Sequence, residues 1–258
     1  MRQAVHAEWT KLRTLPGTGW LLLGCVALTA ALSATAAAAV KCESVGCGLD
    51  PAKLSLAGIV LGQAVVVILA VLAMSGEYST GMIRTTLAAI PHRITVLAAK
   101  AAVLSGLVLA AGTIAVLASL LAGWLILPGQ GFTPAHGHAP LSLAYGPVLR
   151  AAAGSVLYLA LIGLLSLGVA TAVRDSAVAI GVVLALLYLF PIFAQLVTDP
   201  DWRQRLQRIG PMTAGLAIQA TTGLNNLPIS PWAGLGVLAA WATAALMLGG
   251  LLLWLRDA

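Results

Sequence analysis

The chain has 258 residues, 60% of them hydrophobic and only 9% charged, and its mean hydropathy of +0.99 excludes an ordinary water-soluble domain, where apolar residues make up about half of the chain. A formal net charge of +6 could serve nucleic acid, but the basic residues are scattered at the ends of apolar runs without interleaved aromatics. They read instead as topology signals and contacts to membrane lipid, and no nucleic-acid partner is expected.

Only helices and closed barrels satisfy every backbone group in lipid, and long unalternating apolar runs select helices. The expected fold is therefore an all-α membrane protein. Residues 1–16 place Val5, Trp9 and Leu12 on one side of a helix, with Arg2, Glu8, Lys11 and Arg13 elsewhere, which predicts an amphipathic helix lying in the interface. The first span is expected over 17–40; the small-residue tail S-A-T-A-A-A-A-V resembles a cleavage site, but the spans that follow make the segment an anchor. Cys25, mid-span, is expected to be a free thiol. A polar loop over 41–53 carries Cys42 and Cys47, and the residues between them, Gly46 included, can bring the two α-carbons within the roughly 4.4–6.8 Å that a disulfide needs.

The second span is expected over 54–74, with Gln63 near its middle and Gly58 and Gly62 spaced for close helix packing, in a dimer seam or within one bundle. Ser75 to Lys100 is a polar island holding Glu77, Arg84, Arg93 and Lys100. An acidic side chain at bilayer centre costs roughly 2.5–3.5 kcal/mol on insertion scales, so the island is expected at a water interface. It reads as a turn in which Ser79 or Thr80 caps a short helix bearing Met82, Ile83, Leu87 and Ile90, ended by Pro91.

The third span, 94–127, is longer than a bilayer core requires and is expected to tilt, to kink near Gly106 or Gly112, or to stand proud of the surface. The Gly/Pro-rich loop 128–145 holds His136 and His138, and two histidines lacking a third ligand nearby predict no metal site. Fourth and fifth spans, 148–173 and 177–197, flank a tight turn at Arg174-Asp175-Ser176. The fifth is interrupted by Pro191 and carries Tyr188, Phe193 and Gln195 towards its far end. After it, a surface helix is expected with Trp202, Leu206 and Ile209 opposite Arg203, Arg205 and Arg208. A re-entrant or surface segment over Pro211 to Thr222 follows, and then the sixth span, 232–255. The charge of the first flank puts both termini in the cytoplasm and Cys42, His136 and Arg205 outside.

No G-x-x-x-x-G-K-[ST] loop, H-E-x-x-H pair or G-x-S-x-G elbow occurs, and no ionisable residue falls mid-span. The chain has no phosphate cradle, and transport run on intramembrane carboxylates is disfavoured. If it moves a solute, the energy comes from elsewhere.

Three stretches carry a resemblance. G-E-Y-S-T-G-M-I-R-T-T-L, followed by I-P-H-R and A-A-K, resembles the cytoplasmic coupling region of permease subunits of ATP-binding-cassette exporters, in the type-two exporter family, with Met82 where those proteins usually have Thr. H-A-E-W-T-K-L-R-T is similar to that family's N-terminal interfacial helix, and G-P-M-T-A-G-L-A-I to a segment before its last span.

The resemblance implies one permease domain over 1–258 in a bacterial cell membrane, with a coupling helix between spans 2 and 3. It implies a dimer with a second permease subunit, like or unlike, resting on two copies of a separate ABC ATPase. ATP and Mg would sit on that ATPase, with no cofactor bound by this chain and no enzymatic activity of its own. Glu77, Tyr78 and Arg84, with Glu8 and Lys11, would make the ATPase contact. The second and fifth spans would line the substrate pathway, with Gln63, Tyr188, Phe193 and Gln195 as its residues. Other readings stay open: a lone Gln or Tyr in a span also suits a helix–helix hydrogen bond of about 0.6–2 kcal/mol. Glu77 also suits a carboxylate on interfacial water, and the whole chain a membrane-embedded enzyme or assembly subunit without ATP coupling. Copurification of an ATP-binding subunit separates these last two.

Overall fold

The computed structural model of the protein describes residues 2–14, 16–42, 47–79, 81–82, 93–134 and 141–256. Among the described residues the regular structure is helical: α1 (Arg2–Thr14), α2 (Pro16–Ala39), α3 (Pro51–Ser55), α4 (Ile59–Ser79), α5 (Arg93–Ile126), α6 (Gly146–Val173), α7 (Ser176–Leu184), α8 (Phe190–Leu196), α9 (Pro200–Ile209), α10 (Pro211–Gly215) and α11 (Pro231–Arg256). Among the described residues six helical segments are long and apolar enough to cross a membrane, formed by α2, α4, α5, α6, α7 continuing into α8, and α11. The chain is a multi-pass, all-helical membrane protein.

Polar ties at the helix ends order the bundle. Lys100 of α5 meets Glu8 of α1 and Glu77 of α4 at one end, whereas the Cys42 amide donates to the Gln130 carbonyl (2.8 Å) at the other. Arg174, closing α6, lies over the Tyr78 ring at the first end, while Arg150, near the start of α6, donates to the Ala220 carbonyl at the second. Arg93 donates to the Leu253 carbonyl (2.9 Å), where the exposed carbonyls and dipole of the α11 C-terminus favour a cation. The six spans therefore alternate in direction, and α1 and the C-terminal end of α11 lie at the Glu77 end.

The centre is α4 and α6. Gln63 of α4 and Tyr158 of α6 are fully buried, and α2 and α5 pack on one side of this pair with α7 and α11 on the other. The outer helices expose Trp20 (75%), Leu125 (64%) and Met247 (72%), a surface that suits lipid and would be a liability in water. Two glycines set the α2–α4 approach. A Cβ on Gly58 would overlap the Thr29 carbonyl and one on Gly62 the Thr29 hydroxyl, so their spacing serves packing inside this chain.

Several boundaries differ from the sequence reading. Leu54 belongs to α3, which Asp50 caps, and the second span begins at Ile59. It then continues through Ser79, so Ser75, Gly76, Glu77 and Tyr78 form its last turn, not a surface turn. The helix can run past the apolar stretch because Glu77 is neutralised by two lysines and the Ser75 hydroxyl donates back to the Val71 carbonyl (2.9 Å). The proposed short helix over Ile83, Leu87 and Ile90, its cap at Thr80, and Pro91, His136 and His138 lie outside the described residues.

α5 is one helix of 34 residues, about 50 Å long, without a break at Gly106 or Gly112, and its first turns extend to the polar network at the Glu77 end. The fifth span passes through a π turn, Ala185–Leu189, in which the Phe190 amide reaches back to the Ala185 carbonyl. Widening the helix there accommodates Pro191, which has no amide to donate.

α9 is the amphipathic surface helix, with Trp202 and Ile209 exposed. The following segment tucks inward as α10 and a 3-10 turn, Leu216–Gln219, with Ala214 and Ile218 fully buried between α6 and α11. Glycines permit this insertion: a Cβ on Gly215 would lie 2.6 Å from the Tyr158 ring, and one on Gly154 would overlap Ile218.

Candidate functional site

The most polar interior site joins α1 to the facing ends of α4 and α5. Lys11 Nζ lies 2.9 Å from Glu8 Oε1 and 2.9 Å from Glu77 Oε1, and Lys100 Nζ lies 2.6 Å from Glu8 Oε2 and 2.9 Å from Glu77 Oε1. Lys100 also donates to the Ala73 carbonyl (3.1 Å), so all three of its protons are used. Two carboxylates and two ammoniums balance to zero charge. Glu8, Glu77 and Lys100 are 3%, 6% and 1% exposed, so removing any one strands its buried partners.

Helical geometry explains how the four groups meet. Glu8 and Lys11 are three apart on α1 and present their side chains together, Glu77 is in the last turn of α4, and Lys100 is near the start of α5. The buried face of α1 is Ala4, Glu8 and Leu12, whereas Trp9, assigned to the apolar side, is 43% exposed. Pairing of Glu8 with Lys100 rotates the helix one step from its apolar stripe. Burial by itself would lower the Lys11 pKa, but hydrogen bonds to Glu77 and Glu8 and their charges outweigh it and hold the ammonium above the ordinary value of 10.5.

Tyr78 extends this site. The Arg174 guanidinium lies 5.2 Å from its ring centroid, while Arg174 adopts the left-handed conformation (φ 65°) usually left to glycine at a helix end. Asp175 then caps α7 through the Val178 amide (2.8 Å), so the α6–α7 turn joins the same end. Glu8, Lys11 and Glu77 are thus brought together through the lysines, and Tyr78, next to Glu77 on α4, meets Arg174 instead. Arg84 lies outside the described residues.

The four pathway residues divide. Gln63 accepts a hydrogen bond from the Tyr158 hydroxyl and donates to Met212 Sδ (3.4 Å), and the Tyr188 hydroxyl donates to the Val60 carbonyl one turn away. These bonds link α4, α6, α10 and the π turn into one buried node. Phe193 (62% exposed) and Gln195 stand instead on the outer face of α8. A bare protein-family resemblance does not distinguish these two environments; packing does.

No protein-family model and no curated protein matches the chain.

At the opposite end, Cys42 and Cys47 form a disulfide with a Cα–Cα distance of 5.8 Å, and Cys25 is free and buried. Sequence reasoning passed over Asp50. It caps α3 through the Ala52 and Lys53 amides (3.0 and 3.2 Å) and crosses to the Thr221 hydroxyl (2.6 Å), the Thr221 amide and the Thr222 amide (3.0 Å). It also missed Tyr158, although a tyrosine in mid-span is the same signal that singled out Gln63. In sequence Lys100 is only one charge of a polar island, because its two acidic partners lie 92 and 23 residues away. Among the described residues there is no cluster of His, Cys, Asp and Glu that could hold a metal ion.

Proposed function

We propose that the chain is the membrane-spanning subunit of an ATP-binding-cassette exporter, working as a dimer of permeases on two copies of a separate ATPase in a bacterial cell membrane. The supporting observation is the four-charge network. It locks α1, α4 and α5 together at the end from which the segment between α4 and α5 departs, where the resembling motif lies.

In this reading Glu8, Lys11 and Glu77 are positioning residues. They are spent on the chain's own bundle, and Arg84 remains the candidate for direct contact with the ATPase. A push on α1 or on the α4–α5 segment is passed to both spans through Lys11 and Lys100, and through Tyr78 and Arg174 to the turn between α6 and α7. The exposed outer helices, with Phe193 and Gln195, offer the face for a second permease and a shared cleft, and both termini lie in the cytoplasm. Hydrolysis of ATP occurs on the partner.

Copurification from the native host tests the proposal. A stoichiometric ATP-binding subunit is expected with the wild-type chain. Arg84→Ala should weaken association, whereas Lys100→Met should leave the partner bound and lower transport-coupled ATP turnover. Recovery of the intact chain with no ATP-binding subunit would favour the ATP-independent alternative.

A further inference from the structure

A cavity of about 580 Å³ opens at the disulfide end, between α3, the first turn of α4 and the segment that follows α9. Its size is that of ligand clefts, roughly 300–1,000 Å³. The walls are mainly aliphatic, from Leu54, Val60, Leu216, Leu227 and Ile229, and the polar groups among them are largely engaged. The Thr213 hydroxyl donates to the Gln207 carbonyl (2.8 Å), and the Gln219 amide donates to the Ser155 hydroxyl (3.3 Å). A sugar or a peptide would find few partners here, and an alkyl chain would find a dry wall.

The two charged groups that line the cavity differ in what they have left to offer. Asp50 accepts five hydrogen bonds, from the Ala52 and Lys53 amides, the Thr221 amide and hydroxyl, and the Thr222 amide. Lys53 is exposed at the rim, and its ammonium makes no hydrogen bond or ion pair among the described residues. Arg208, whose Nε donates to the carbonyl of the lining residue Pro228 (2.7 Å), adds a second positive charge nearby. The unspent charge is therefore positive.

The walls are held in place before any ligand arrives. Asp50 ties α3 to Thr221, and the Cys42–Cys47 bridge closes the loop leading into α3. Preformed walls lower the ordering cost of binding. The cavity adjoins the start of α4, where the apolar spans begin, so a ligand dissolved in the bilayer has a short path to it.

We propose that this cavity binds one acyl chain carrying an anionic head group, with the chain along Leu54, Val60, Leu216 and Ile229 and the head at Lys53. The site stands whether or not an ATPase drives the chain. Oleate and an anionic phospholipid share this chemistry, and the experiment separates them.

Delipidated full-length protein in detergent is titrated, in separate arms, with oleate, oleyl alcohol, phosphatidylglycerol and phosphatidylcholine, and bound stoichiometry is read by native mass spectrometry. One molecule of oleate or of phosphatidylglycerol is expected to bind about tenfold more tightly than its uncharged or zwitterionic counterpart, the scale of one contact to a charged group. The preferred arm identifies the source. Lys53→Glu, at an exposed position that leaves the fold intact, should erase the preference, and Ala57→Leu should reduce occupancy of both ligands by filling the wall. Equal binding of charged and uncharged partners, or a preference that survives Lys53→Glu, would overturn the proposal. So would occupancy that Ala57→Leu leaves unchanged in protein still carrying its disulfide and eluting as wild type.

Discussion

Lys100 Nζ and Glu8 Oε2 lie 2.6 Å apart although 92 residues separate them in sequence, and both side chains are almost fully buried. That contact fixes which face of the N-terminal helix meets the bundle. It also makes α1 a structural part of the helical bundle.

Truncating Lys100 leaves Glu8 and Glu77 buried with only Lys11 between them. Lys100→Ala is expected to destabilise the docked state of α1 by about 3–5 kcal/mol, whereas Glu8→Gln with Lys100→Met, which removes a charge pair together, costs much less. Thermal unfolding in nanodiscs, with protease sensitivity at Arg13 as the local probe, measures both. Equal losses in the single and double variants would show that the pair does not hold α1.

Lys11 gives the network a pH dependence of definite sign. Its folded pKa is raised, so its contribution is fully present below the unfolded value near 10.5 and is lost as pH rises through the folded value. Docking of α1, followed by the fluorescence of a single tryptophan kept at Trp9, should be flat from neutral pH to about pH 9 and weaken only above the ordinary lysine range. Lys11→Met should remove that alkaline transition; its persistence would assign the transition to another group.

Gly62 faces the Thr29 side chain with no room for a Cβ. Gly62→Ala should cost about 1–3 kcal/mol through overpacking between α2 and α4. Thr29→Ala in the same chain should restore part of the loss, and a double variant no more stable than the single one would locate the strain elsewhere.

Tyr158 and Gln63 form a hydrogen bond between the two central helices. Tyr158→Phe is expected to lower stability by about 0.6–1.7 kcal/mol, and Gln63→Leu made with it should recover stability by leaving no amide unpaired. If the chain is the exporter subunit proposed above and the pair is purely structural, the double variant retains transport. Loss of transport with full stability would place Gln63 on the pathway.

Much of the architecture was legible because it depends on local properties. Six apolar stretches of membrane length, the Pro191 interruption and the amphipathic repeat of Trp202, Leu206 and Ile209 are each contained within one segment. So is the short spacing of Cys42 and Cys47, which allows a loop to close without help from the rest of the chain. Hydrophobic transfer and helical periodicity act residue by residue along such segments, and sequence alone determines them.

The partners of the polar groups were decided by tertiary structure. Glu77 marked the end of a span in sequence, but whether it faced water or a lysine depended on the arrival of α1 and α5 from distant parts of the chain. Gln63 and Phe193 read alike as pathway residues, yet one is buried against Tyr158 and the other faces outward, because helix rotation is set by packing against neighbours. Lys53 and Asp50, three residues apart, show the same division: the fold consumed the carboxylate in five hydrogen bonds and left the ammonium to the cavity. A charge in a mostly apolar chain must find a counterpart, and only the folded bundle determines which one is within reach.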